Sequence, residues 1–297
     1  MSCDNFKVRR LLIIGCGDVA KRALPWLARR FRVFALVRNA SDDAVVRILG
    51  AVPLRGDLDK PATLRRLAGI AHCVLYAAPP QDRGTSDKRT RQLLAALATR
   101  ASLPQRISYI STSGVYGDCM GERVDETRSA RPVTPRARRR VDAERALRDF
   151  GIRSRCGVAI LRAPGIYAAD RLPIERLRSG DPVLTAEDDV FTNHIHAVDL
   201  ARLAGMALFR ARGGRVFNAS DDSDLRMGDY FDLVADALGL AHPPRVRRSV
   251  AGERLSPVTM SFMSESRRLI NNRFKRELRV KLRFPQIRDG LRTLAEC

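Results

Sequence analysis

Short apolar runs alternate along the chain with amphipathic stretches of helical length. Leu11 to Ile14, Arg32 to Val37, Val52 to Leu54, Cys73 to Tyr76, Ile107 to Ile110, Val158 to Leu161 and Arg215 to Asn218 each have the length and composition of a buried strand. Lys21 to Arg30, Pro61 to Ala68 and Ser86 to Ser102 carry helical spacing between them, as do Arg171 to Ser179 and, stopped by Gly239, Met227 to Leu238. Strands that alternate with helices of this size build βαβ units and hence a parallel sheet. The expected fold class is α/β. Ligands of such sheets bind outside the carboxyl ends of the strands, so the segments after strands one, two, four and five are expected to share one crevice.

The first strand runs into Gly15-Cys16-Gly17-Asp18-Val19-Ala20, a G-x-G-x-x-A turn that opens a helix. Gly15 permits the tight turn, Gly17 removes the side chain that would hold a pyrophosphate away from the backbone, and small Ala20 lets helix and strand pack closely. Free N–H groups at the helix start, around Gly17, Asp18 and Val19, then face the anion. The residue ending the second strand selects the dinucleotide: an acid there binds the ribose hydroxyls of NAD, whereas arginine accommodates the 2′-phosphate of NADP. Arg38 holds that position, so NADP is expected ahead of NAD.

With 297 residues, 45% of them hydrophobic, the chain suffices for one large domain or a domain with a smaller lobe. No apolar run approaches the roughly 18 to 20 residues of a membrane span, and residues 1–7 lack the apolar middle of a secretory signal; a soluble cytoplasmic protein without membrane attachment is expected. Cys3, Cys16, Cys73, Cys119, Cys156 and Cys297 form no C-x-x-C pair, which favours reduced thiols over disulfides or zinc. The net charge of +21 suggests a polyanionic partner. The excess, however, is mostly arginine, is spread along the whole chain and accompanies no nucleic-acid motif, so no specific nucleic acid is expected.

The fifth strand leads into Ser111-Thr112-Ser113-Gly114-Val115-Tyr116-Gly117-Asp118. In order, the glycine turn, Gly56-Asp57-Leu58, Ala77-Ala78-Pro79-Pro80, this serine-threonine segment, Val124-Asp125-Glu126-Thr127, Leu161 to Tyr167 (LRAPGIY) and Asn193 to Ala201 (NHIHAVDLA) closely resemble the extended short-chain dehydrogenase/reductases, the NAD(P)-dependent sugar epimerase and dehydratase group. The resemblance spans essentially the whole chain. It implies a Rossmann-type, doubly wound domain over residues 1–165, completed by about 190–220, and a smaller substrate lobe from 166–189 and 221–297 that closes over the substrate. It also implies Asp57 and Leu58 near the adenine, Ala77, Ala78 and Pro79 lining the cofactor with Ser111 and Pro164, and Thr112 as the catalytic hydroxyl. Ser113, Tyr116, Tyr167 and Asn193 are the implied substrate contacts.

The resemblance breaks at the proton relay. In the family a tyrosine moves the hydroxyl proton and a lysine four residues on lowers that tyrosine's pKa. The matching run ahead of Ala143-Glu144 is Arg136-Ala137-Arg138-Arg139-Arg140, so Arg136 replaces the tyrosine and Arg140 the lysine. Arg140 keeps a cation for the nicotinamide ribose, but arginine cannot serve as a general acid at neutral pH. Three readings stay open. Tyr116 supplies the proton, although packing or substrate contact is the ordinary use of a tyrosine there. Alternatively, Arg136 and Arg140, one helical turn apart, fork an anionic substrate. Or catalysis is lost, and the chain is a noncatalytic NADP-binding sensor. The two positions after the threonine, an Asp-Glu acid/base pair in the nucleotide-sugar dehydratases resembled, are Ser113 and Gly114. Reductase or epimerase-like hydride transfer on a small polar, sugar-like or anionic substrate is therefore preferred to water elimination.

Other clusters read as structural. His194 and His196 share a strand face without a further ligand, so no metal is expected, and Asp199 is read as opening the following helix. Asp125 and Glu126 are adjacent in a loop and rarely converge, and Cys16 packs as a small residue in the turn. A homodimer is left open as the assembly.

Overall fold

The computed structural model describes residues 9–99 and 102–294. Cys3, Cys297 and the start of the chain, to which some of the expectations above refer, lie outside them. The chain divides into two compact units: one holds residues up to Ser111, Pro135–Arg162 and Leu200–Phe217; the other holds Thr112–Thr134, Ala163–Asp199 and the residues from Asn218 onward.

The first unit is built on a seven-stranded sheet. Its strands are β1 (Arg10–Ile14), β2 (Arg32–Val37), β3 (Ala51–Arg55), β4 (Cys73–Tyr76), β5 (Arg106–Thr112), Gly157–Ala163 and Arg215–Asn218. From one edge to the other the order is Arg215–Asn218, Gly157–Ala163, β5, β4, β1, β2, β3. The α/β class and doubly wound parallel sheet expected from the apolar runs are thus found. Strand order reverses at β1, which pairs in parallel with β2 on one side and β4 on the other, Ile14 facing Leu36 and Tyr76. A crevice opens at such a switch point, beyond the carboxyl ends of β1, β2 and β4.

Helices follow from what they bury. α1 (Asp18–Leu27) turns Ala20, Ala23, Leu24 and Leu27 inward and starts directly at the glycine turn, three residues earlier than its apolar spacing shows. α2 (Asp42–Ile48) buries only Val46 and so leaves no apolar stripe to read in the sequence. The segment Pro61–Leu67 is a 3₁₀ helix rather than an α-helix, followed by Gly69 with a φ of 69°. α3 (Lys88–Ala98) starts two residues later than expected because Asp87 caps it, its carboxylate accepting the Thr90 N–H at 3.0 Å. α4 (Pro135–Ser154) carries the arginine run. Leu12, Ile14, Val74, Tyr76, Ile107, Tyr109 and Ile160 from the sheet meet Leu93, Leu97, Leu147 and Phe150 from the helices in one apolar core.

The second unit has short strand pairs instead of a large sheet: Gly165–Tyr167 with His194–His196, Arg123–Val124 with Arg268–Leu269, Phe191–Thr192 with Leu225–Arg226, and Val183–Leu184 with Arg245–Val246. The helix Met227–Leu238 ends at Gly239, whose φ of 64° is the left-handed cap expected of a glycine there. Its buried face, Tyr230, Phe231, Val234 and Ala235, packs with Tyr167, Val183, Ile287 and Leu291.

Candidate active site

The carboxyl ends of β1, β2, β3 and β4 surround a cleft of about 340 Å³ in the first unit. Of the residues expected to hold a dinucleotide, Gly15, Gly17, Arg38, Asp57, Leu58, Ala78 and Pro79 line it. The two glycines have different physical reasons. Gly15 sits at φ 85°, and a Cβ there would lie 2.3 Å from the Ala78 backbone nitrogen, so the strand β4 exit fits only against a bare α-carbon. A Cβ on Gly17 would meet no protein atom within 4 Å. Its missing side chain leaves open the approach to the α1 N-terminus, where backbone N–H groups have no intrahelical acceptor. A dinucleotide's pyrophosphate fits this cradle.

Charge around the cleft is cationic at its outer side. Arg38 is exposed just after β2, and Lys21 lines the floor beside Asp42, 3.8 Å away. Burial pushes the Cys16 thiol up to about 11, so the residue packs as a neutral group and not as a reactive thiolate. Asp57 shapes its own turn, its carboxylate accepting the Asp59 N–H at 3.0 Å and its N–H donating to Thr63 at 2.9 Å. Lys21, Asn39, Asp42, Gly56 and Arg89 also line the cleft and were not read from the sequence. Lys21 had a local signal, one turn into the helix after the glycines. Arg89 had none, since it comes from the first turn of α3, ten residues beyond Pro79.

Asp18 and Val19 begin α1, with Asp18 accepting from Arg22 at 2.8 Å. The Ala77 and Ala78 N–H groups both donate to the Ile14 carbonyl, tying the β4 exit to β1. Ser111 donates its hydroxyl to Glu144 at 2.7 Å. Glu144 is 1% exposed and accepts from Arg162 through both oxygens, at 3.1 and 2.8 Å, and from Arg148 at 2.9 Å. Burial alone would raise this carboxyl, but the Arg162 guanidinium, Ser111 and Arg148 together hold it below the usual range.

The arginine run on α4 is divided in use. Arg139 donates to the Gly84 carbonyl at 2.7 Å, while Arg136 is exposed. Arg140 turns to β5, donating to the Ile110 carbonyl and the Tyr109 hydroxyl, both at 2.9 Å. Burial pushes the Tyr109 phenol up to about 12 against the opposing pull of Arg140, so the pair is a neutral phenol and a cation. Arg136 and Arg140 thus differ in surroundings.

In the second unit, Thr112 ends β5 and caps a single 3₁₀ turn, Ser113–Tyr116, its Oγ1 accepting the Gly114 N–H at 3.2 Å. Ser113 is buried. Tyr116 is 1% exposed, and its hydroxyl donates to Asn218 Oδ1 at 2.7 Å, while Asn218 donates in turn to the Val124 and Ile270 carbonyls. This geometry matches the packing use of Tyr116 better than proton donation. A different acid approaches the same turn at Gly114. A Cβ on Gly114 would be 3.6 Å from Thr112 Oγ1 and 3.9 Å from Glu265 Oε2. Arg267 orients Glu265 at 2.9 Å and donates to the Gly117 carbonyl at 2.6 Å. Asn193 secures that segment with both ends of its amide, donating to the Arg267 carbonyl at 2.8 Å and accepting the Leu269 N–H at 2.7 Å. Glu265 could not be found from sequence because some 150 residues separate it from Gly114.

Pro164 directly precedes the strand Gly165–Tyr167. Tyr167 is 1% exposed, donates to the Gln286 carbonyl at 3.3 Å and meets the His194 and His196 rings edge-on. His194 stacks on Tyr230 at 4.0 Å, and burial pulls its pKa down to about 3, which makes it a neutral core group. Asp199 lies in the first turn of the helix Ala197–Arg210, as expected, and its carboxylate accepts the Arg283 and Phe284 N–H groups at 2.8 to 2.9 Å. Among the described residues no cluster of three metal-ligating side chains occurs, and no helix is long and apolar enough to cross a membrane.

Comparison with protein-family models gives no match, and comparison with curated proteins gives none. Solved structures match over the full length. A functionally unknown conserved protein from Silicibacter pomeroyi is 30% identical, with 97% of this chain and 98% of that one covered and a TM-score of 0.82. A UDP-glucose 4-epimerase from Thermotoga maritima, with UDP-glucose, is 15% identical over 97% of both chains, with a TM-score of 0.77. A dTDP-glucose 4,6-dehydratase from Streptomyces venezuelae, with NAD bound, is 19% identical over 97% of both chains, with a TM-score of 0.75. The last two establish a shared fold.

Proposed function

The chain belongs to one family with the Silicibacter pomeroyi protein and has the fold of the NAD-dependent epimerases and dehydratases, and we propose that it is an NADP-dependent oxidoreductase or epimerase-like enzyme. The observation that carries this reading is the cleft at the sheet's switch point, where Gly17 leaves the α1 N-terminus open and Arg38 stands after β2. NADP is preferred to NAD because a guanidinium there forks a 2′-phosphate, whereas NAD needs an acceptor for its ribose hydroxyls. When bound, the cofactor supplies or accepts the hydride. The α1 backbone binds the pyrophosphate, Arg140 orients the ribose beside the Ile110 carbonyl, and Ser111, fixed by Glu144, borders the cofactor.

The substrate is a small polar molecule, sugar-like or anionic, with a carbinol or carbonyl carbon. Thr112 hydrogen-bonds its reacting oxygen. Glu265, hydrogen-bonded by Arg267, takes the hydroxyl proton in oxidation and returns it in reduction, in place of the absent tyrosine. Ser113, Arg136, Tyr167 and Asn193 remain the proposed substrate-side residues, with Asn193 acting through the segment that carries Glu265. A noncatalytic NADP-binding sensor is the alternative, favoured by the commitment of the Tyr116 hydroxyl to Asn218.

Purified protein with NADPH and a panel of sugar, keto-acid and aldehyde substrates tests this, followed by nicotinamide absorbance. NADPH consumption that falls at least about 100-fold in Glu265→Gln, with unchanged NADPH affinity, is the expected result for a lost general base or acid. Tight NADPH binding without turnover across the panel would favour the sensor.

A further inference from the structure

Arg89 reaches the cofactor cleft from α3, and each of its guanidinium nitrogens already has an acceptor. Nε donates to Asp59 Oδ1 at 2.8 Å and Nη2 to Asp59 Oδ2 at 2.5 Å. Nη1 donates to the carbonyls of Pro79 and Pro80 at 3.1 and 3.3 Å. The side chain is 17% exposed although its partner Asp59 is 47% exposed. A bidentate carboxylate and two carbonyls lie around the edge of the guanidinium, so its plane is fixed and four of its five in-plane N–H donors are spent. The parent helix is fixed as well, by the Asp87 cap on Thr90. What such a group chiefly offers a ligand is its flat, weakly hydrated face. The cleft also holds Leu36 and Leu58, an apolar surface suited to a planar base and not to a phosphate.

We propose that Arg89 recognises the adenine base of the dinucleotide by stacking, held flat by Asp59 and the Pro79–Pro80 carbonyls, and that it leaves the 2′-phosphate to Arg38. The two arginines of the cleft divide the adenosine between them. Arg38 is exposed at the strand end and available to an anion; Arg89 has its charge matched by Asp59 and presents a face. The Arg89 guanidinium also holds the Asp59 carboxyl below the usual carboxylate range, so the clasp stays ionised at neutral pH. This inference rests on the cleft being the dinucleotide site.

Titration of the full chain with NADPH and NADH separates the outcomes. Base–side-chain stacking lost to alanine is expected to weaken binding by about 10- to 100-fold. Arg89→Ala should therefore weaken NADPH and NADH alike and keep their ratio. Arg89→Lys should not rescue, because it keeps the charge and loses the plane. Asp59→Asn, which retains Arg89 but loosens the clasp, should weaken both nucleotides in the same sense and covers the case in which Arg89→Ala does not fold. In the wild type, the Arg89 Nε–H resonance should shift upfield on adding NADPH, from the ring current of the base, and stay in place on adding reduced nicotinamide mononucleotide, which lacks adenine. If Arg89→Ala weakens NADPH but not NADH, Arg89 is a phosphate ligand and the proposal is overturned. Unchanged affinities in the variants, or no ring-current shift, overturn it too. A wild type that binds neither nucleotide removes the cleft reading itself, a result distinct from all of these.

Discussion

Gly15 and Gly17 occupy one motif but predict opposite experiments. Gly15→Ala forces a side chain to φ 85° and into the Ala78 backbone, so it should cost about 2 to 4 kcal/mol of stability. Gly17→Ala enters open space at φ −82°, so melting should change by less than about 0.5 kcal/mol while NADPH affinity falls at least about tenfold. Thermal melts and a nucleotide titration of the two variants check the contrast. His194 makes a pH prediction. Its folded pKa is about 3 because it is buried, against about 6.5 for an unfolded histidine. The unfolded state therefore binds the extra proton first, and stability falls as pH drops below about 6.5, by up to about 1.4 kcal/mol per unit. Between about pH 6.5 and 5, before the carboxylates titrate, His194→Gln should flatten the slope in denaturant melts; an unaltered slope would assign it to other groups.

At the scale of elements, the turn after β5 is the informative case. Tyr116 holds that turn to Asn218, which itself bridges the Val124 and Ile270 carbonyls. Tyr116→Phe leaves a buried amide oxygen without its donor, so it should cost about 1 to 2 kcal/mol and leave nucleotide affinity unchanged. Turnover lost without loss of stability would instead return the proton to Tyr116. The strands were readable because buried parallel strands are continuous apolar runs, as at Leu11 to Ile14 and Cys73 to Tyr76. α2 was not readable because a single buried valine leaves no periodicity, and the 3₁₀ form of Pro61–Leu67 depends on packing that its composition does not express. The glycine turn and Arg38 were legible as a strand–turn–helix motif. The Arg89–Asp59 clasp and the Glu265–Arg267 pair at Gly114 were not, because their members come from distant segments that meet only in the fold.

At the scale of the whole molecule, the charge of +21 is the excess of 54 cations over 33 acids, so ion pairs inside the fold leave it unchanged. Arg89, Arg91, Arg162 and Arg267 face Asp59, Asp142, Glu144 and Glu265. That excess is spread along the chain and accompanies no nucleic-acid motif, so binding to DNA or heparin should show no sequence preference and be lost with modest salt, as measured by a salt series. The chain is built around the cleft on the first unit's sheet, whose proposed ligand is NADP. The most direct measurement is a titration of the protein with NADPH and NADH, read by Trp26 fluorescence on α1, repeated for Arg38→Asp. NADPH should bind more tightly than NADH, with the preference lost or reversed in the variant. Binding of neither nucleotide, or an NADPH affinity indifferent to Arg38, would contradict this.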